Sequence, residues 1–221
     1  MSRKTDIRRD SRPAKPELYR DQDEKAALEA RNGLLQFDEV LRLVEQASKS
    51  GSFKLRPSTM QGLHRIAIHD IYSCAGNYRT HEVTIRGTTH EPPPWSDVAA
   101  LVEEACEYVG TNWGKSAIHL AAYLMWRINW IHPFSGGNGR TSRAVSYLVL
   151  CVRLGYRLPG TLSIPEQIVA NREPYYKALD ASDEAWARGQ LDVSAMEELL
   201  EMMLAKQLLE VHRAATSSDS T

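Results

Sequence analysis

The sequence predicts an all-α fold, because helical apolar patterns recur along the chain while strand-like alternation occurs once. Apolar residues spaced three and four apart indicate packed helices over Leu34–Gln46 and Asp97–Tyr108. Residues Ala117–Trp130 are apolar on nearly every side, which indicates a helix in the core. Only Glu82–Arg86 alternates apolar and polar residues as a short strand does. A length of 221 residues is enough for one domain with a buried core.

The N-terminal third of the chain is predicted to hold a flexible arm followed by helices. Residues 1–22 are basic and polar and show no apolar periodicity, which is typical of a solvated arm. An alanine-rich helix begins at about Asp23, and we expect Asn32–Gly33 to end it. After the helix over Leu34–Gln46, a further helix is expected over Pro57–Ile71.

The remaining boundaries are predicted from caps and turn residues. Ser116 is placed to cap the core helix, and Gly155 to end a second buried helix over Ala144–Leu154. The last part of the chain has four expected features: Pro165 opens a short helix, Pro174 interrupts the chain before Tyr175, a helix covers Asp192–Val211, and residues 214–221 form a polar tail.

Composition narrows the class of protein. The formal net charge is -1, from 27 basic and 28 acidic residues, so no global charge attracts nucleic acid or an anionic membrane surface. The cysteines, Cys74, Cys106 and Cys151, are odd in number and far apart, which predicts neither a metal site nor a disulfide framework. No signal-peptide core and no membrane-spanning apolar run is present. We therefore expect a soluble, cytoplasmic protein.

The strongest chemical signal lies in His132–Arg143, which reads HPFSGGNGRTSR. Glycines allow tight turns that direct backbone N–H groups toward one point, and the start of a buried helix attracts anions. Arg140 and Arg143 lie one helical turn apart and can fork onto phosphate oxygens. His132 can accept a proton near neutral pH. The stretch lacks the lysine of a Walker A loop, so it predicts a different phosphate site with a base beside it.

This string resembles the signature of Fic-domain proteins, HPFx(D/E)GNGRxxR. The resemblance implies a Fic-type helical bundle over residues 23–213, with residues 132–143 as the signature loop. It also implies transfer of AMP from ATP to a Ser, Thr or Tyr hydroxyl of a target protein, with His132 as the base. Tyr175 or Tyr176 would pack near the nucleotide base. The residues implied to hold the phosphates are Gly137, Asn138, Gly139, Arg140 and Arg143.

The resemblance further implies a β-hairpin flap over the active site, at residues 79–95. A strand edge offers main-chain hydrogen bonds to an extended peptide and fixes the position of its hydroxyl group. The flap residues implied to hold the target are Val83, Thr84, Ile85 and Arg86. The identity of the target protein stays open, and so do self-modification and a homodimer.

Gly136 departs from the family pattern, because that position is normally acidic and binds Mg²⁺. We expect Mg²⁺ to arrive on the nucleotide without the usual carboxylate ligand. Three interpretations stay open: a weak or conditionally active AMP transferase, a Fic-like enzyme with different nucleotidyl or phosphate transfer, and a nucleotide-binding interaction module without catalysis.

Some family members carry an inhibitory helix with the pattern [ST]xxxE[GN]. Residues 23–33 resemble it through Glu29, although Lys25 and Ala30 replace the flanking residues. The resemblance implies that Glu29 pairs with the second arginine of the motif and obstructs ATP. A C-terminal alternative over Ser194–Glu198 also fits the first part of the pattern.

Overall fold

The computed structural model describes residues 17–218. Within these residues the fold is helical and contains no β-strand beyond one isolated bridge between Glu17 and Tyr72. The predicted arm up to residue 16 and residues 219–221 lie outside this range. The helices are α1 (Gln22–Ser50), α2 (Pro57–Ala67), α3 (Val98–Thr111), α4 (Ala117–Ile131), α5 (Asn138–Leu154), α6 (Ile164–Ala170), α7 (Glu173–Ala187) and α8 (Ser194–Ser218), with a 3-10 turn at Trp95–Asp97 before α3.

The core is built around α4 and α5, which pack against each other along their length. Helices α1 and α2 cover α5, while α3, α7 and α8 pack on α4. The apolar run predicted as a core helix is confirmed, because every residue of α4 from Leu120 to Ile128 is buried. The largest fully buried side chains include Trp126, Phe134, Met60, Leu63, Leu124, Ile128 and Leu148. Burial of so many large apolar groups supplies the main stabilisation of the fold.

Two predicted caps are confirmed. The Ser116 hydroxyl accepts a hydrogen bond from the His119 N–H at 3.0 Å and so satisfies one free donor at the start of α4. Gly155 ends α5 in the left-handed conformation, with φ 86°. The start of α4 and the end of α5 are therefore set by single capping residues that can be recognised in the sequence.

The expectation that Asn32–Gly33 ends a helix is wrong, because α1 continues through both residues. Asn32 is buried, and its side-chain amide donates to the His69 carbonyl at 2.7 Å. One turn later, Gln36 donates to the Leu63 carbonyl at 3.0 Å. These tertiary bonds to the end of α2 offset the cost of a mid-helix glycine, about 1 kcal/mol.

The expected β-hairpin flap is not present in the described part of the chain. Residues 82–85 belong to no helix or strand, and Arg86–Gly87 form a turn. Burial still alternates along the segment, with Ile85 buried and Thr84 exposed. The loop is held by the buried Arg79 side chain, which donates hydrogen bonds to the carbonyls of His81 and Pro93. These side-chain bonds take the place of the backbone bonds that a β-hairpin would have.

Several boundaries differ from those expected. Helix α2 ends at Ala67, and the chain after it pairs with residues 17–18, which belong to the predicted arm: Leu18 N–H donates to the Ile71 carbonyl at 3.0 Å. Pro174 lies in the first turn of α7 and does not interrupt the chain before Tyr175, because a first-turn proline loses no helical bond.

The last helix also extends further than expected, since α8 continues to Ser218 and includes most of the predicted polar tail. None of the helices within residues 17–218 combines the length and apolar character needed to cross a bilayer.

Candidate active site

A cleft of about 920 Å³ opens where the α4–α5 loop meets α1, α6, α7 and the loop over residues 79–95. The sequence-predicted residues that line it are His132, Gly137, Asn138, Gly139, Arg140, Arg143, Tyr176, Ile85 and Glu29. The fold therefore brings residues from distant parts of the chain to one site.

Asn138 fixes the shape of the α4–α5 loop. Its side-chain oxygen accepts from the Phe134 N–H at 2.9 Å, and its amide donates to the Phe134 carbonyl at 2.7 Å. Phe134 is itself fully buried and stacks on the His64 ring, with the ring centroids 3.6 Å apart. Both ends of the Asn138 amide thus bond within the loop, and the loop is anchored in the core.

The start of α5 presents an anion-binding cradle. Within the described residues, the backbone N–H groups of residues 137–140 have no hydrogen-bond acceptor. The first amides of a helix carry a partial positive charge and attract phosphate. Gly137 has φ 77°, and a Cβ there would approach the Ile68 side chain to 2.7 Å. Only glycine fits this position, as the conformation and the close packing both require.

His132 ends α4 in a left-handed conformation that is uncommon for a residue with a side chain, with φ 49°. Its Nδ1 lies 3.4 Å from the Asn129 carbonyl, a contact that favours the tautomer with the proton on Nδ1. Burial lowers the pKa of His132 to about 3, against the raising effect of the Asn129 carbonyl and with further lowering by Arg79 and His90. The imidazole is therefore neutral at physiological pH and in the form of a base.

The two arginines of the motif have different surroundings. Arg140 donates to the Ala67 carbonyl at 3.0 Å and to the Glu29 carboxylate at 3.3 Å. Arg143 has neither a hydrogen bond nor an ion pair among residues 17–218, and burial lowers its pKa, as do the neighbouring cations Arg172 and Arg140. A half-buried guanidinium in this position favours a bound anion.

The expected partner of Glu29 is therefore corrected, because the carboxylate reaches the first arginine of the motif and not Arg143. Helix α1 places Glu29 beside the Arg140 side chain at the edge of the cleft. The C-terminal alternative, Glu198, is exposed on α8 and does not line the cleft.

The two tyrosines are placed differently. Tyr175 is buried, and its hydroxyl accepts from the Asn129 side-chain amide at 2.8 Å, so it supports the loop from behind. Tyr176 is half-buried and lines the cleft. Of the two, Tyr176 has the placement to contact a ligand.

Of the predicted flap residues, the structure brings one to the cleft. Ile85 lines it and is 6% exposed, whereas Val83 is half-buried and Thr84 and Arg86 face solvent. His90, which the sequence analysis did not select, also lines the cleft, and its Nε2 donates to the Trp130 carbonyl at 2.8 Å.

The side chains present do not fit a protein-bound Mg²⁺ at position 136. Gly136 provides no carboxylate, and its carbonyl accepts a hydrogen bond from His64 Nε2 at 2.9 Å. Within residues 17–218, no group of three or more His, Cys, Asp or Glu is arranged to hold a metal ion. The groups that the candidate site offers to an anion are therefore backbone amides and arginine side chains.

Sequence reasoning missed three residues that support the loop: Arg79, Asn129 and His64. Arg79 is fully buried, and its Nε donates to the His132 carbonyl at 2.9 Å. For His64 a signal existed, because it shares one apolar face of α2 with Leu63 and Ala67. A histidine on such a face needs partners inside the core. For Arg79 and Asn129 the spacing gave no comparable signal.

Comparison with known proteins finds similarity to one family. A family model described as Fic/DOC family matches residues 54–150. The chain is 29% identical to "Protein adenylyltransferase Fic" of Drosophila persimilis over 161 residues, which is 72% of this chain and 30% of that protein. It is 33% identical to the protein of that name in Drosophila mojavensis over 111 residues, 49% of this chain and 20% of that protein. The chain thus spans less than a third of the length of these relatives.

Solved structures share the fold. A Fic domain containing signaling protein from Bacteroides thetaiotaomicron aligns with a TM-score of 0.65 at 19% identity, over 84% of this chain and 73% of that one. Fic-1 from C. elegans aligns with a TM-score of 0.63 at 20% identity, over 84% of this chain and 52% of that one.

The protonation of His132 gives a direct check of the site. We expect its imidazole resonances to show no protonation step between about pH 5 and pH 8, because burial lowers its pKa to about 3. An unfolded histidine has a pKa of about 6.5 and binds the proton first as the pH falls. The stability due to neutral His132 is therefore fully present above about pH 6.5 and is lost toward pH 3. An NMR titration of histidine-labelled protein, assigned with His132→Asn, measures this; a midpoint near 6.5 would contradict the described environment.

Proposed function

Because the chain is a member of the Fic/DOC family, we propose that it transfers AMP from ATP to a hydroxyl group of a target protein. The observation that carries the proposal is that a neutral histidine and an amide-and-arginine cradle line one cleft. A base and an anion site side by side are what phosphoryl chemistry on a hydroxyl nucleophile requires.

The cradle binds the triphosphate through the free amides of residues 137–140 and through Arg143. The hydroxyl oxygen of the target attacks the α-phosphorus, the bond from that phosphorus to the bridging oxygen of the β-phosphate breaks, and pyrophosphate leaves. His132 Nε2 takes the hydroxyl proton. Preorganised donors around the phosphate stabilise the charge that develops in the transition state.

A pKa as low as that of His132 weakens a base, and the bound nucleotide offsets this effect. Several negative charges on ATP close to the imidazole favour its protonated form and raise its pKa toward neutrality. The histidine then gains basicity when substrate is present, which suits a general base.

The target segment lies along the loop residues Val83–Arg86. Its backbone groups take part in no sheet, so they are available to pair with an extended peptide, as in strand addition. Ile85 at the cleft edge positions that peptide next to His132. Side chains contribute little to such pairing, so the sequence of the target stays open.

Glu29 limits nucleotide binding in this proposal. Its carboxylate holds Arg140 through a contact of 3.3 Å and lies in the cleft that the phosphates would enter. A bound triphosphate must compete for Arg140 and also approach a negative charge. The motif is therefore partly occupied by the protein itself before ATP binds.

The primary test uses ATP labelled separately at the α- and γ-phosphates, with purified protein and with cell extract as a source of targets. We expect covalent α-label in the native protein and at least about a hundredfold less in His132→Ala, because a positioned base supplies roughly 10²–10⁴-fold. Covalent γ-label would replace this proposal with phosphoryl transfer. ATP binding without either label would leave a nucleotide-binding module, which Gly136 favours.

The missing carboxylate can be restored. We expect Gly136→Asp to raise the Mg²⁺-dependent rate of α-labelling by about tenfold, equivalent to about 1.4 kcal/mol of transition-state stabilisation. Gly136→Asn is the matched control, since it has the same size without the charge. Equal rates with aspartate and asparagine would show that a metal ligand does not limit the reaction.

The role of Glu29 can be tested by calorimetry. We expect Glu29→Gln to bind ATP up to about fivefold more tightly, since a partly exposed ion pair contributes up to about 1 kcal/mol. Glu39→Gln removes a comparable ion pair on the same helix, to Arg42 at 2.7 Å, away from the cleft. Unchanged affinity in Glu29→Gln, or the same gain in both variants, would remove the inhibitory role.

A further inference from the structure

We propose that His64 is a positioning residue that aims the Gly137 amide at the phosphate being transferred. The proposal rests on the function proposed above and extends it to a side chain outside the signature loop. His64 is buried on α2, with no exposed surface, and it does not line the cleft. It acts through the backbone of the loop and touches no substrate.

Two hydrogen bonds fix the protonation of His64. The Gly76 N–H donates to Nδ1 at 3.0 Å, so Nδ1 carries the lone pair. Burial lowers the pKa of His64 to about 4, so the ring is neutral and its proton lies on Nε2. That proton is donated to the Gly136 carbonyl at 2.9 Å. The Gly76 N–H thus sets the tautomer of the imidazole, and Nε2 donates to the loop.

The bond to the Gly136 carbonyl determines where the next amide points. In a trans peptide unit the carbonyl and the following N–H point in opposite directions. Since the Gly136 carbonyl points into the core toward His64, the Gly137 N–H points away from it. Gly137 lines the cleft, and its N–H has no acceptor within residues 17–218. One imidazole therefore orients the first donor of the phosphate cradle.

The packing leaves this peptide little freedom to rotate. A Cβ on Gly137 would approach the His64 ring to 3.4 Å and Ile68 to 2.7 Å, so the backbone lies directly against α2. Phe134 stacks on the same imidazole, with the ring centroids 3.6 Å apart. Any flat ring at position 64 can therefore pack on Phe134. The hydrogen bond to the Gly136 carbonyl additionally requires a donor at the position of Nε2.

This distinction supplies matched variants. His64→Phe keeps a ring that can stack on Phe134 but has no donor for Gly136. His64→Gln places an amide nitrogen the same number of bonds from Cβ as the imidazole Nε2, so it can restore the donor. A comparison of the two separates the hydrogen bond from the packing.

The measurement is binding of the two diastereomers of ATP with a sulfur on the α-phosphate, by calorimetry in the presence of a chelator. Sulfur accepts hydrogen bonds poorly, so a fixed amide should discriminate between the diastereomers by about tenfold in the native protein. We expect the ratio to fall to about one in His64→Phe and to remain in His64→Gln. A structural role alone would weaken both diastereomers equally and leave their ratio unchanged, which would overturn the proposal.

A second measurement on the native protein holds even if His64→Phe does not fold. We expect the Gly137 amide proton, followed by ¹⁵N-correlated NMR, to move downfield when ATP binds. ATP binding without that shift would overturn the role of His64 while leaving AMP transfer intact. Absence of ATP binding to the native protein and to Glu29→Gln would overturn the proposed function, together with the inference that depends on it.

Discussion

The site depends on which backbone groups have hydrogen-bond partners where α4 ends and α5 begins. Helix ends leave carbonyls and amides without partners, and burial makes each of them costly. The carbonyls at the end of α4 are satisfied by protein donors: His90 binds Trp130, and the Arg79 side chain binds His132. The amides at the start of α5 receive no such partner within the described residues. This asymmetry makes the loop rigid on one side and able to bind an anion on the other.

Charge in the cleft follows the same division. Arg140 is held by a carbonyl of α2 and by Glu29, whereas Arg143 has no ion pair within residues 17–218. A cation left half-buried costs free energy that an incoming phosphate can recover. The Glu29 contact is weak because both side chains are partly exposed, which suits a group that yields to the ligand.

Helix α2 links the remaining parts. Its last turn and the residues after it accept hydrogen bonds from α1, through Asn32 and Gln36, and from Arg140 on α5. Its His64 donates to the loop itself. Because α1 also carries Glu29, which contacts Arg140 at the edge of the cleft, this helix and the α4–α5 loop are both supported by α2. A displacement of α1 would therefore shift α2, and through His64 it would also shift the α4–α5 loop.

The sequence alone determined the helical class, the core position of α4, the caps at Ser116 and Gly155, and the place of the glycine-rich loop between two buried helices. These features depend on local patterns: apolar spacing, single capping residues and glycines at fixed offsets. The tertiary structure decided the rest. Helix α1 passes through Asn32–Gly33 because the end of α2 accepts hydrogen bonds there. The loop over residues 79–95 is held by hydrogen bonds from the Arg79 side chain and not by a partner strand. Which arginine Glu29 reaches, and what His64 holds, depend on contacts between residues far apart in sequence, which no local pattern encodes.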